Sequence, residues 1–328
     1  MHKLINHPSN AAIESLEGFE LAYNHLLRVQ YSPNYICRKD APIAGKVAVI
    51  SGSGSGHEPL NVGYVGQGML DAACPGAIFT SPTPYQYLAA TRAVQGGAGV
   101  LYVVKNYMGG VLNTEMAIEM AIEEGIEVAS VLIHDDVAVD QDANRRGTGA
   151  TILVEKIAGA AAEAGMSLAE VAALAQRVSH QTRSMGVALT SCIAPAMGRP
   201  TFQLPDGQIE VGVGIHGEPG RRRASMTKAD EVVDMLVAPI LYELKLQAGD
   251  QVLALVSGLG GTPQHELFIV YRHLYHLLER HSIHVQRSLV GNYITSLDMA
   301  GCILTLMRLD AELLALWDAP VRTPALWW

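Results

Sequence analysis

KVAVISGSGSGHEP (46–59) reads as an apolar strand running into a glycine-rich turn, and the same texture continues beyond it. AIF (77–79), GVLYVVKN (99–106) and EVASVLIHDD (127–136) are further apolar runs of strand length. Between them, PYQYLAATRAVQ (84–95) and TEMAIEMAIEEG (114–125) carry helical spacing, so the order is βαβαβ with short connections. Strands joined by helical crossovers run parallel, which predicts a largely parallel sheet. LVEKIAGAAAEAG and SLAEVAALAQRVSHQ, within 149–181, read as two helices that close this unit.

Strand texture returns after Gly186 in VALTSCI (187–193), QIEVGVGIHG (208–217), QVLALVSG (251–258), HVQRSLVGNYITS (284–296) and CILTLMRL (302–309), with helices at about 227–246 and 264–282. Late strands follow one another closely, so antiparallel pairs are expected there. The fold class is therefore α/β: two α/β domains, each with a mainly parallel or mixed sheet flanked by helices. A boundary near residue 183 divides 1–182 from 183–328. KVAVISGSGSGHEP and QVLALVSGLGGTPQHEL (251–267) share a strand, a glycine turn and a His-Glu pair. Duplication explains this, and so does the preference of any strand-to-helix turn for glycine.

A chain of 328 residues, 49% of them hydrophobic, can bury a core large enough for two domains. The formal net charge of −9 argues against a nucleic-acid surface, and the run Arg221 to Arg223 is too short to change that. Met1 is followed by polar residues and an amphipathic segment, with neither a secretory signal nor an 18-residue apolar span, which predicts a cytoplasmic protein without a membrane partner. Cys37, Cys74, Cys192 and Cys302 show no CxxC or metal-ligand spacing and are expected as reduced, mostly buried thiols.

SGSGSGHEP (51–59) presents backbone N–H groups to a small polar ligand, although a structural turn alone explains its glycines. The Walker loop needs GK[ST] where this loop has Gly56-His57-Glu58, and no acidic residue completes a dinucleotide fingerprint. His57, at the lip of the loop, is placed for acid-base work. GVGIHGEPG (212–220) puts His216 at the end of an apolar strand between glycines, with Glu218 able to hold its ring. A lone strand-end histidine is more often structural, yet a neutral imidazole can add to a ketone carbonyl and hold it as a hemiaminal. KNYMGG (105–110) offers Lys105 as a donor to substrate oxygen, and FTSPTP (79–84) offers Thr80 and Ser81 in a Pro-bounded turn. Carboxyl ends of parallel strands share one rim, where ligand crevices form.

His273, His276, His281 and His284 lie on a polar helix face and beyond its end, and no metal is assigned to them. His134-Asp135-Asp136 reads as a helix cap in preference to a cation site. The methionines are core filler.

Together SGSGSGHEP, CPGAIFTSPTP (74–84), VKNYMGGVLN (104–113), DDVAV (135–139), RRGTGATILVEK (145–156), GIHGEPG (214–220), TSLDMAG (295–301) and WDAPVRTPAL (317–326) resemble the dihydroxyacetone-binding subunit of the dihydroxyacetone kinases, in its phosphotransferase-system-dependent form. The resemblance implies a homodimer in which His216 binds dihydroxyacetone covalently as a hemiaminal. It implies substrate contacts from Gly54, His57 and Lys105, with His57 aiding acid-base chemistry. It places ADP and magnesium on a separate helical subunit, and no cofactor is expected on this chain, which shows no Asp-rich magnesium loop.

Kinase-competent members carry an Asp base after the KNY motif, where this sequence has Gly110. A positioned general base contributes about 10²–10⁴-fold in rate, whereas capture by His216 needs none. Two readings follow. In one, the chain presents dihydroxyacetone or a related ketose such as erythrulose to the ADP-carrying partner. In the other, it senses the ketose and engages a transcription regulator.

Overall fold

The computed structural model describes residues 3–140 and 144–328. Its chain forms two compact units that are interleaved in sequence. The first comprises the chain up to Ile133, Thr151–Ser179 and Ala315–Trp328, and the second His134–Ala150 and His180–Leu314. The single boundary expected near 183 is thus replaced by changes of unit at 134, 151, 180 and 315. Periodicity could not show this, because residues 134–140, 144–149 and 319–328 are mostly irregular and carry no alternating pattern.

In the first unit, α1 (Ala11–Tyr23), β1 (Leu27–Gln30) and β2 (Tyr35–Arg38) lead into β3 (Ala48–Ser55), β4 (Ala72–Ile78), α2 (Pro84–Val94), β5 (Val100–Lys105), α3 (Met108–Glu123) and β6 (Val128–Ile133). Helices α4 (Ala150–Glu163) and α5 (Leu168–His180) follow. The sheet order is β1-β2-β4-β3-β5-β6, with β4, β3, β5 and β6 parallel and β1 and β2 antiparallel. The central strands β3 and β5 are buried nearly throughout, which is why VAVI and VLYVV read as continuous apolar runs. Ile50, Tyr87, Val100 and Tyr102 form part of the core on one face of the sheet.

Two local expectations shift. The glycines of SGSGS stay in strand β3 through Ser55, and the chain turns only at Gly56, where φ is +102°. Helix α3 begins at Met108, six residues before the apolar periodicity suggests, so Gly109 and Gly110 lie in its first turn.

The second unit holds β7 (Thr182–Ala188), β8 (Gln208–Val211), β9 (Arg222–Ser225), α6 (Ala229–Leu244), β10 (Gln251–Gly258), α7 (Gln264–Arg280), β11 (His284–Gly291) and β12 (Gly301–Leu309). Its sheet runs β11-β10-β12-β7-β8-β9, and only β10 and β11 are parallel. Leu236, Val237 and Ile240 of α6 and Leu274 and Leu278 of α7 join Val252, Ala254, Val256, Leu304 and Leu306 in one apolar core. Both sheets are mixed and flanked by helices, as the pattern predicts. The strand expected at 187–193 lies instead at β7. That expected over 208–217 ends at Val211, because Gly212 turns the chain at φ +88°. The glycine turns at 52–56 and 258–261 share strand exits, but only β10 leads directly into a helix. A final helix, α8 (Ala311–Asp318), precedes the C-terminal segment. Among the described residues no helix is long and apolar enough to cross a membrane.

Candidate functional site

Strand β3 runs so close to residues 79 and 80 that a Cβ on Gly54 would collide with the Thr80 N–H and lie 2.8 Å from Phe79 Cα. Only glycine fits there. Ser55 Oγ donates to Gly76 O (2.7 Å) and Phe79 N donates to Ser55 O (2.9 Å), so the ends of β3 and β4 are stitched together. Gly54 also lines a small cavity of about 10 Å³, the lower limit for a single water. His57 is not at a solvent-facing lip. It is fully buried, with its ring stacked on Phe79 at 4.9 Å and 19°.

Lys105 ends β5 at 4% exposure and points its Nζ at Gly52 O (3.4 Å). Burial lowers its pKa, and the Glu155 carboxylate on α4 partly restores it. Glu155 has no exposed surface; burial raises its pKa, opposed by Lys105 and the Ser51 hydroxyl. With its amide oriented to suit both neighbours, Asn61 donates to Glu155 Oε1 (3.0 Å) and accepts from Ser53 N (3.2 Å) and Ser53 Oγ (3.1 Å). Glu155 is therefore a buried electrostatic partner of Lys105 that the motif reading did not contain. Ser81 is half-buried beyond β4. A Cβ at Gly110 would sit 3.8 Å from Ser81 Oγ and 3.6 Å from Lys105 O, ordinary contact distances that leave room for a side chain.

In the second unit, His216 occupies a turn five residues past β8, correcting the strand-end placement. Its Nδ1 lies 2.8 Å from Glu218 Oε1, and its backbone N donates to Glu218 Oε2 (2.9 Å). Burial pushes the Glu218 carboxyl up, but the hydrogen bond and charge of the His216 imidazole, with backbone N–H groups, override it and hold the pKa at about 2. Glu218 is thus an ionised acceptor at neutral pH, which favours the tautomer with its proton on Nδ1 and its lone pair on Nε2. The His216 side chain keeps 24% of its surface exposed.

Gly54, His57, Ser81 and Lys105 belong to the first unit, and His216 and Glu218 to the second. Asp135 accepts from Thr148 N (2.7 Å), Thr148 Oγ1 (2.8 Å), Ala150 N (3.0 Å) and Ser184 Oγ, the capping arrangement at the start of α4. His273 is not on a polar face; it is buried against Asp234 (2.8 Å) and Asp230 (3.3 Å) of α6. All four cysteines are buried free thiols. A cleft of about 610 Å³ between 189–193 and 200–208 contains none of the residues singled out above.

The Dak1 domain model matches residues 17–325. The chain belongs to the Dak1 family. It is 46% identical to the dihydroxyacetone-binding subunit DhaK of the PEP-dependent dihydroxyacetone kinase of Escherichia coli, covering 100% of this chain and 99% of that protein. The crystal structure of the C. freundii dihydroxyacetone kinase superposes with a TM-score of 0.91 at 34% identity, over 99% of this chain and 60% of that one. A dihydroxyacetone kinase operon co-activator, Dha-DhaQ, superposes with a TM-score of 0.88 at 35% identity, over 95% of this chain and 96% of that one.

For this Dak1 chain, the residues missed by motif reading are Glu155 and Asn61. Glu155 stands beside Lys156 in the otherwise apolar run ILVEKIAGAAA (152–162), and a charged pair inside such a run is the signal that it has buried partners.

Proposed function

We propose that this Dak1 chain is the ketose-binding subunit of a dihydroxyacetone kinase and captures its substrate on His216. The observation that carries this reading is the His216–Glu218 pair, a partly exposed imidazole held by an ionised carboxylate. The Nε2 lone pair forms a bond to the carbonyl carbon as the C=O π pair moves to oxygen. The Nδ1 proton passes through Glu218 and water to that oxygen, leaving a neutral hemiaminal. Gly54 and Lys105 are the polar contacts of the ketose, His57 aids proton transfer, and Ser81 and Glu218 support them. Dihydroxyacetone is the substrate, with erythrulose a related candidate. ADP and magnesium belong to a helical partner subunit that supplies the phosphoryl group in the cytoplasm, and the chain itself works as a homodimer.

A second reading, a ketose-sensing co-activator that engages a transcription regulator, is favoured by Gly110 and by the similarity to Dha-DhaQ. Carbon NMR of dihydroxyacetone labelled at C2 tests capture. The carbonyl signal should give way to a hemiaminal with wild type and persist with His216→Ala; persistence with wild type ends the capture reading. Ketose phosphate formation with an ADP-loaded helical subunit and its donor then separates the two readings. Turnover with wild type supports the kinase, with Gly110→Asp about 10²–10⁴-fold faster. No turnover in wild type, with turnover in Gly110→Asp, leaves the co-activator.

A further inference from the structure

The loop carrying His216 leaves β8 at Gly212 and returns by Gly220, and one guanidinium holds both of its ends. Arg146 is 7% exposed; its Nη2 donates to Gly212 O (2.7 Å) and its Nη1 to Pro219 O (3.3 Å). Its Nε donates to Asp136 Oδ2 (2.8 Å), and Nη2 also lies 2.7 Å from the same oxygen. Asp136 is fixed in turn, its Oδ1 accepting from Ala138 N (2.9 Å). Burial raises the Asp136 carboxyl to about 6 against the opposing pull of Arg146.

The same guanidinium flanks the His216–Glu218 pair. A Cβ on Gly214 would collide with Glu218 Oε2 and stand 2.7 Å from Arg146 Nη1, so the carboxylate and the guanidinium close on one bare glycine. Within the loop, Gly214 N donates to Glu218 O (3.1 Å) and Gly217 N to Gly214 O (3.0 Å), which makes it a tight turn. The Arg146 contacts tie this turn to Asp136, outside the loop. A rigid planar fork reaches two carbonyls and a carboxylate together, a geometry an ammonium does not reproduce.

We propose that Arg146 is a positioning residue for His216: by clamping Gly212, Pro219 and Asp136 it fixes the loop in the register that sets Glu218 on His216 Nδ1 and presents Nε2. The clamp is read from geometry alone; its consequence for capture rests on the proposed role of His216. The test therefore uses two readouts on the full chain, ¹⁵N NMR of the His216 ring without ligand and capture of C2-labelled dihydroxyacetone.

Wild type should show the Nδ1–H tautomer. Arg146→Lys should show mixed tautomers and capture on the order of 10²-fold more slowly, the usual consequence of an ångström-scale misplacement. Free guanidinium added to Arg146→Ala should restore both signals, which a general loss of stability would not allow. A folded Arg146→Lys protein with wild-type tautomer and capture rate overturns the proposal. If wild type captures no ketose, the reading of His216 as nucleophile falls, while the ring signals still decide the clamp. Should both Arg146 variants fail to fold, Gly214→Ala crowds the same contact; an unchanged Nδ1–H signature there also overturns the proposal.

Discussion

Glu155 has no exposed surface, interacts with Ser51 of β3 and Lys105 of β5, and favours the charged form of Lys105. With Glu155→Gln, burial acts on Lys105 without the opposing carboxylate, so the Lys105 ammonium should lose its proton at lower pH than in wild type. The pH dependence of Lys105 reductive methylation, followed by mass spectrometry, checks this; an unchanged profile would show that Glu155 does not hold the charge. Residues within the long motifs, His216, Glu218, Lys105 and Gly54, were legible because each sits in a distinctive run. Glu155 and Arg146 were not, although both lie in the quoted RRGTGATILVEK, because their partners are brought to them only by folding: Lys105 is 50 positions away, and Gly212 is 66. The burial of His57 was hidden for the same reason, since its partner Phe79 arrives from another strand.

The central strands could be read because both faces are buried along the continuous apolar runs VAVI entering β3 and VLYVV of β5. Boundaries moved where glycine carries two meanings: in β3 it permits close approach of another segment, whereas at Gly212 it turns the chain. Helix α3 began early for a related reason, as glycines in its first turn mask a start that apolar spacing alone would date later. Helix α6 ends on Lys245 in the left-handed region at φ 49°, a conformation that costs a non-glycine residue about 1–2 kcal/mol. The Lys245 carbonyl remains tied to Arg308 Nη2 (3.1 Å) whatever the side chain. Lys245→Gly should therefore stabilise the second unit by about 0.5–1 kcal/mol after the entropic cost of glycine, read as a higher urea midpoint. A lower midpoint would show that the lysine side chain contributes more than the backbone strain it imposes.

The whole molecule is less legible than its parts, because its two units share the chain in alternating pieces. Helical and strand periods report only local surroundings, so the return of the C-terminal segment to the first unit leaves no pattern. That return is explicit in backbone bonds: Arg322 N donates to Gln67 O (2.9 Å), Ala325 N to Gly63 O (2.9 Å), and Val321 and Trp328 exchange a pair at 3.1 Å. Lys156, buried in α4, donates to Leu316 O (2.8 Å), and its Nζ lies 5.8 Å from the centre of the Trp328 ring. Removing residues 319–328 should strip hydrogen-exchange protection from 63–70 while β10 and β12 keep theirs. Undiminished protection of 63–70 would show that the segment only decorates the surface.

This return also orders events during synthesis. Residues 63–67 leave the ribosome some 250 positions before the segment that bonds to them. Domains emerging N-terminal first ordinarily complete their folds in that order. Here the first unit to emerge is the last to be finished: it must wait, with the partners of Gly63 and Gln67 still unmade, through translation of the entire second unit. The interval in which a chaperone or a protease can reach that edge is set by the length of the intervening sequence and ends only once residues 321–328 have emerged.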